Sequence, residues 1–154
     1  AIDLSKHLNF DKTVAVTEGA ETGDYAAAVT ALRSPQFQIP QETRAALLSG
    51  YEALASGDSQ AKTKAVQALL ALPQGKQSET VATLLGALGA NREALQVAAQ
   101  RPWLFWRRSM RGVLSEPAFP AVAEQLGLMT YWKTSRTKPD VCLTNSAPPF
   151  CRMI

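Results

Sequence analysis

Apolar side chains recur every three or four positions along most of this chain, and short polar breaks separate the apolar runs. Between Pro40 and Ser56, for example, small or apolar residues fall at positions 46, 47, 50, 51 and 54. This spacing places them on one face of an amphipathic α-helix. Apolar and polar residues do not alternate as they do in a half-buried strand, so we predict no sheet. The pattern therefore predicts an all-α protein of eight or nine helices in antiparallel pairs.

Capping residues and turn residues divide the apolar pattern into separate helices. The predicted helices cover residues 25–32, 40–56, 59–72, 78–88 and 91–99. The side chains expected to cap them at the N-terminus are Asp24, Asp58, Ser78 and Asn91. Two further helices are expected to begin at Pro102 and Pro117, because proline is favoured at the first helical position.

The predicted caps recur at a nearly constant interval, 34 residues from Asp24 to Asp58 and 33 from Asp58 to Asn91. A pair of helices that repeats at this interval is typical of helix–turn–helix repeat proteins. One pair cannot bury its apolar face alone, so stacked neighbours form a continuous core. The composition agrees, since 25 Ala and 18 Leu stand against only 12 Val plus Ile.

Several residues within the repeat resemble those of the tetratricopeptide repeat. Gly50 lies seven residues before the turn Gly57-Asp58, and Gly23-Asp24 gives the same turn in the first unit. Gly89 begins the third turn, where Ala90 replaces the aspartate. The resemblance covers about residues 8–100. It implies a right-handed superhelix of antiparallel helix pairs, a tetratricopeptide-like α-α solenoid.

The C-terminal third is similar to the segment that ends certain proteobacterial tetratricopeptide-repeat proteins. Gly127-Leu128, Tyr131-Trp132 and Pro139-Asp140-Val141-Cys142 carry this similarity, with Val141 in place of the usual aromatic residue. In those proteins the array commonly follows a winged-helix DNA-binding domain and one membrane helix, or a nucleotide-cyclase-like domain. The resemblance implies a helical repeat domain over residues 1–137, with a C-terminal capping helix, and an irregular Pro-rich tail over 138–154.

The first helix of each pair lines the concave groove of a tetratricopeptide array, and this pattern identifies candidate binding residues. They are Thr13, Thr17 and Glu21 in the first unit, Arg44, Leu47, Tyr51 and Leu54 in the second, and Lys76, Glu79 and Thr83 in the third. Arg44 and Lys76 would make the groove mildly basic, with Tyr51 as an aromatic platform. Such a groove suits an extended peptide or a small anionic ligand. The alternative is that the Pro-rich tail fills the groove.

The stretch from Arg101 to Arg111 is the densest in aromatic and basic residues. On an α-helix Trp103, Trp106 and Met110 would share one stripe. One interpretation buries both tryptophans in the core and lays arginine stems over them. The other is a basic-aromatic patch that binds a carboxylate, a phosphate or an acidic segment. Its residues would be Arg107, Arg108 and Arg111.

The sequence offers little for catalysis, metal binding or nucleic-acid binding. His7 is the only histidine and has no accompanying ligand cluster, so we predict no metal, no cofactor and no enzymatic activity. The net charge of +3 and pI near 9.0 are too mild to indicate nucleic acid as a partner. The apolar runs are too short for a membrane span.

The two cysteines, Cys142 and Cys151, have eight residues between them. Pro148 and Pro149 bend this loop, so we predict one disulfide. The alternative is two free thiols in a reducing cytoplasm. A bridge would favour a periplasmic location, which fits a fragment of an inner-membrane regulator, since the sequence begins at Ala1 with no leader.

Two functions remain open at this point. The first is a non-catalytic ligand- or protein-binding module, the sensor domain of a larger bacterial regulatory protein. The second is a purely structural scaffold that mediates protein–protein assembly. The sequence does not identify the ligand or the oligomeric state.

Overall fold

The computed structural model describes residues 4–75 and 78–154, with side chains from Phe10 onward. The α-helices are α1 (Leu4–Thr22), α2 (Tyr25–Arg33), α3 (Gln41–Ser56), α4 (Ser59–Ala71), α5 (Glu79–Ala87), α6 (Asn91–Ala98), α7 (Phe119–Gln125) and α8 (Leu128–Ser135). Short 3-10 helices cover Pro102–Trp106, Arg108–Met110, Val113–Ser115, Asp140–Leu143 and Pro149–Arg152. The described residues contain no strand, so the all-α prediction is confirmed for them.

The turns within the first two helix pairs are built alike, as their shared Gly-Asp sequence predicted. Gly23 and Gly57 both have φ near +75°, at 78° and 71°, a conformation that side-chain-bearing residues rarely adopt. The following aspartate then caps the next helix. Asp24 accepts a hydrogen bond from the Ala27 amide at 3.1 Å, and Asp58 caps α4 in the same way. These contacts satisfy amides that would otherwise lack a partner.

The third turn differs from the prediction at its cap. Gly89 again has positive φ, at 82°, but α6 begins at Asn91, so Ala90 occupies the N-cap position. Asn91 was predicted to be this cap and is instead the first helical residue. The Asn91 side chain lies beside Gly112, where an added Cβ would be 2.6 Å from its Oδ1. Packing against the C-terminal segment therefore replaces the local cap.

Helix α5 lies at the centre of the described fold. It packs against α6, its own partner, and also against α1 and α3. All six residues from Val81 to Gly86 are buried, because neighbours surround the helix. The absence of a side chain at Gly50 lets α3 approach, since a Cβ there would lie 2.6 Å from Leu84 Cδ2. In a regular solenoid each repeat contacts only its sequence neighbours. Here the first and third units are also in direct contact.

The prediction of one α-helical stripe with buried tryptophans between Arg101 and Arg111 is wrong. The segment forms two 3-10 helices, and Arg107 between them is extended, with ψ of 145°. Trp103 and Trp106 are 57% and 48% exposed. A 3-10 helix has three residues per turn, so a different set of side chains faces inward. Leu104 and Phe105 are buried in place of the two tryptophans, and of the predicted stripe only Met110 is buried.

The C-terminal helices and the tail are held by a cluster of aromatic rings. Phe119, the first residue of α7, lies 5.2 Å from Phe105 and 4.9 Å from Phe150 between ring centroids. Trp132 of α8 packs 5.5 Å from Phe150. The prediction that a helix begins at Pro117 is wrong by two residues. Pro117 lies in a turn in which the Phe119 amide donates to the Glu116 carbonyl at 2.9 Å, and Pro120 is the proline in the first turn of α7.

A disulfide joins Cys142 to Cys151, as predicted, with 5.4 Å between the two Cα atoms. The bridge closes a loop that contains Phe150, the residue before Cys151. Phe150 is 1% exposed and attaches the C-terminal end of this loop to the domain. The bridge and the aromatic cluster together set the position of the tail.

Replacing both cysteines, as Cys142→Ser with Cys151→Ser, should lower the free energy of unfolding by about 2.5 kcal/mol, the chain-entropy cost of closing so short a loop. Urea unfolding with and without dithiothreitol measures this. The reductant should destabilise the native protein and leave the double variant unchanged. A double variant as stable as the native protein would show that the bridge contributes nothing to stability.

Candidate functional site

A cleft of about 410 Å³ lies between α1, α3 and the beginning of α5. Its apolar lining comes from Val16, Phe37, Ile39, Pro40, Leu47, Leu72, Pro73 and Val81. Its polar lining comes from Thr13, Thr17, Glu42, Thr43, Gln74, Ser78 and Thr80, with the Gly75 backbone completing the wall. The cleft is within the size range of small-molecule and peptide pockets, and it combines apolar surface with several hydroxyl groups.

The side chain of Arg44 does not line the cleft but holds the backbone of one of its walls. Its guanidinium donates hydrogen bonds to the carbonyl oxygens of Leu32, Ser34 and Phe37, the Ser34 contact being 3.2 Å. These carbonyls belong to the end of α2 and the loop that follows, where no further helical turn supplies donors, and the Ser34 carbonyl also accepts the Phe37 amide at 3.1 Å. Arg44 therefore positions Phe37 at the cleft. Its hydrogen-bonding capacity is directed to the backbone rather than to the solvent.

Tyr51 lies in the core and not on the groove surface. Its side chain is 0% exposed, and its hydroxyl donates a hydrogen bond to the Val16 carbonyl of α1. Burial raises the pKa of Tyr51 to about 12. A hydrogen bond from the Ala20 backbone opposes this rise, and the charge of Glu18 adds to it. The predicted aromatic platform is therefore wrong in its position, because the ring fills the space between α1 and α3.

The other predicted groove residues are divided between the cleft and internal contacts. Thr13, Thr17 and Leu47 line the cleft. Glu79 forms an ion pair with Arg101 at 3.1 Å. Thr83 is 3% exposed and donates to carbonyls of its own helix, so it cannot reach a ligand. Lys76 lies outside the described residues, as does the side chain of His7.

Glu21 and Leu54 also lie away from the cleft. Glu21 accepts hydrogen bonds from the Arg108 and Ser109 amides at 2.8 and 3.3 Å, and from the Ser109 hydroxyl. Leu54 packs, half-buried, against the hydrophobic core. Glu21 thus connects α1 to the segment that follows α6, a contact between residues far apart in the sequence.

The C-terminal tail does not occupy the cleft. No residue after Val81 is among the described residues that line it. The tail instead packs through Phe150 on α7 and α8. The alternative that the Pro-rich tail fills this groove is therefore wrong for the described part of the chain.

Sequence reasoning missed the loop residues of the cleft. Phe37 and Ile39 precede α3, and Leu72 and Pro73 follow α4. A repeat alignment considers only the helix faces, so it assigns these positions to connections. The sequence does contain a signal for these positions. Apolar residues beside a proline in a connecting loop indicate that the loop packs against another surface.

The predicted basic-aromatic patch lies at a second cavity, of about 520 Å³, beside the C-terminal tail. Arg107 and Arg111 line this cavity, together with Trp106, which directly precedes Arg107 in the sequence. Arg107 forms an ion pair with Glu18 at 2.8 Å. Arg108 is exposed on a different surface, near Glu21 and Gly86. The structure therefore brings together two of the three predicted arginines.

The described residues contain no group of three or more His, Cys, Asp or Glu side chains that could hold a metal ion. Nor does this part of the chain contain a helix long and apolar enough to cross a membrane. Comparison with protein-family models, curated proteins and solved structures found no match for this chain.

Proposed function

We propose that this chain is a non-catalytic binding module whose cleft between α1, α3 and α5 receives an extended peptide segment of a partner protein. The observation that carries the proposal is the cleft itself, with an apolar floor and hydroxyl groups at its edge, which the tail leaves open. Apolar side chains of a peptide would bury against Leu47 and Val81. Its backbone would exchange hydrogen bonds with hydroxyl groups and the Gln74 amide.

The charges around the cleft favour an apolar peptide over an anion. Arg44 was expected to attract a negative partner, but its guanidinium is bound to backbone carbonyls. Glu42 is the one charged side chain among the described residues that line the cleft. An acidic segment would be repelled there, whereas an apolar segment with a lysine or arginine at one end would fit.

The wider role that we propose is that of a sensor domain in a larger bacterial regulatory protein. The resemblance to tetratricopeptide repeats supports it, as does the turn geometry shared by Gly23 and Gly57. The Cys142–Cys151 bridge supports an oxidising compartment, the periplasm. Thiol titration of denatured protein from its native compartment tests this location. Two free thiols per chain would contradict it.

The scaffold hypothesis has one observation of its own. Phe10 and Val14 are 67% and 40% exposed, and they lie four residues apart on one face of α1. Such a pair could pack against a further helix. Neither side chain lines the cleft, although Thr13 of the cleft lies on the same helix. Mapping a bound partner at Leu47 and Val81, which α1 does not contain, therefore distinguishes the two functions.

To test the cleft, peptides that bind the whole chain are selected from a random-peptide display library. Thr17→Arg should weaken their binding by about tenfold or more, since the longer charged side chain enters an apolar cleft. Thr63→Arg is the matched control. Both threonines sit within a helix and donate to the carbonyl four residues earlier at 3.0 Å, but Thr63 lies on α4, away from the cleft.

Equal losses of peptide affinity in Thr17→Arg and Thr63→Arg would reject the cleft as the binding site. A library that yields no binder to the folded protein would reject it as well. Circular dichroism of both variants confirms that the helices are retained, so a loss of binding is not a loss of fold.

A further inference from the structure

The second cavity, of about 520 Å³, lies between two walls that are far apart in the sequence. The first wall comes from Phe105, Trp106, Arg107, Arg111, Leu114 and Ser115. The second comes from the tail, through Pro139, Asp140, Val141, Thr144, Ser146 and Pro148. None of these residues lines the peptide cleft, so this cavity is an independent candidate site.

Each wall contributes one charged group that has no side-chain partner within the described part of the chain. Arg111 is exposed and forms no ion pair or hydrogen bond through its guanidinium, in contrast to Arg107, which is paired with Glu18. Asp140 is likewise exposed and unpaired through its carboxylate. The cavity thus presents one available cation and one available anion, on opposite walls.

An apolar surface lies between these two charges. Trp106 and the half-buried Val141 supply it, whereas Leu114 and Phe105 are 2% and 0% exposed and contribute almost none of it. Trp106 is 48% exposed, and Trp132 supports its ring edge to face at 6.0 Å. A half-exposed indole held in a fixed orientation offers a face on which a flat or branched apolar group can stack.

We propose that this cavity binds a free α-amino acid with an aromatic or branched apolar side chain. Its carboxylate pairs with the Arg111 guanidinium, which can donate two parallel hydrogen bonds. Its ammonium group pairs with Asp140. Its side chain lies against Trp106 and Val141. A ligand with a single charge would leave either Arg111 or Asp140 without a partner. A zwitterion pairs with both residues, so the cavity favours a zwitterion.

The disulfide fixes the wall that carries the anion. Thr144, Ser146 and Pro148 lie inside the loop closed by Cys142 and Cys151, and Asp140 lies two residues before it. Opening the bridge frees this loop from one of its two attachments. The affinity for the amino acid should therefore depend on the bridge, whereas peptide binding at the cleft should not.

Titration calorimetry with L-phenylalanine, 3-phenylpropionate and phenethylamine tests the proposal on the whole chain. The second compound lacks the ammonium group, and the third lacks the carboxylate. L-phenylalanine should bind about tenfold more tightly than either. Arg111→Gln should weaken phenylalanine and phenylpropionate by about tenfold and leave phenethylamine unchanged. Asp140→Asn should weaken phenylalanine and phenethylamine and leave phenylpropionate unchanged.

Arg92→Gln is the matched control, an exposed arginine on α6 that has no partner within the described residues and lies outside both cavities. It should leave all three affinities unchanged, and Cys142→Ser with Cys151→Ser should lower the affinity for phenylalanine. No binding of phenylalanine at millimolar concentration by the folded protein would overturn the proposal. So would equal affinity for phenylalanine and phenylpropionate, or equal losses in Arg92→Gln and Arg111→Gln.

Discussion

Phe105→Ala should lower the free energy of unfolding by about 3–5 kcal/mol, whereas Trp103→Ala, two residues earlier, should lower it by about 1 kcal/mol or less. Phe105 is 0% exposed and packs edge to face on Phe119 at 5.2 Å. Its removal leaves a cavity between the repeat helices and α7. Trp103 is 57% exposed, so most of the truncated surface already faces solvent.

Urea unfolding followed by circular dichroism measures both variants, with Trp103→Ala as the matched control for losing an aromatic ring in the same 3-10 helix. A cost for Trp103→Ala equal to that of Phe105→Ala would contradict the 3-10 arrangement. It would favour the α-helical stripe that the sequence predicted. A cost below about 1 kcal/mol for Phe105→Ala would show that the aromatic cluster does not form.

Tyr51→Ala should also cost about 3–5 kcal/mol, because its ring fills the space between α1 and α3. Tyr51→Phe keeps the ring and removes only the hydroxyl that donates to the Val16 carbonyl, so it should cost about 1–2 kcal/mol. The difference between the two variants separates packing from hydrogen bonding. Equal costs in the two variants would contradict the buried position of the ring.

The raised pKa of Tyr51 also predicts how stability depends on alkaline pH. In the unfolded chain the phenol ionises at its ordinary pKa of 10.0, whereas burial in the fold raises the pKa to about 12. Between these values the native state binds more protons, so stability falls as pH rises. The loss should be about 1.4 kcal/mol at pH 11 and approach about 2.7 kcal/mol above pH 12.

Tyr51→Phe is the control for this pH effect, since the other titrating groups are shared with the native protein. The difference in unfolding free energy between the native protein and Tyr51→Phe should shrink between pH 9 and pH 11 by about 1.4 kcal/mol. A difference that stays constant would mean that the phenol is not buried in the native state.

The local features of the fold could be predicted from the sequence. The turn glycines and the caps at Asp24, Asp58 and Ser78 depend on residues within three or four positions of one another. Backbone sterics set the conformational preference of the turn glycines, and unpaired helix amides set the preference for capping side chains. Both effects are local and do not depend on the tertiary contacts. Helix boundaries in the repeats therefore fell close to the predicted residues.

Features that depend on distant contacts could not be predicted. Whether Trp103 or Phe105 faces inward depends on the ring of Phe119, which comes from a later helix. Glu21 receives its hydrogen bonds from Arg108 and Ser109, 87 and 88 residues further along the chain. No periodic pattern near Glu21 or Phe105 carries information about these partners.

The candidate cleft shows the same difference between local features, which could be predicted, and distant contacts, which could not. Thr17 and Leu47 could be placed there, because the resemblance to the tetratricopeptide repeat assigns the groove to the first helix of each pair. Tyr51 lies one turn after Leu47, yet it is buried, because its ring packs beside Gly19 of α1 and the Val16 carbonyl accepts its hydroxyl. Arg44 lies one turn before Leu47 and is bound to the carbonyls of a loop whose path the repeat pattern does not specify.

Amide chemical-shift mapping with a library-selected peptide is the most direct test of the proposed binding cleft. We expect the perturbed amides to cluster at the cleft, around Thr17 and Leu47, in the loop at Phe37 and at the start of α5 near Val81. Thr63 on α4 should be unaffected. Perturbations confined to the start of α1 around Phe10 and Val14, with the amides of Phe37, Leu47 and Val81 unchanged, would contradict the binding cleft and favour a scaffold.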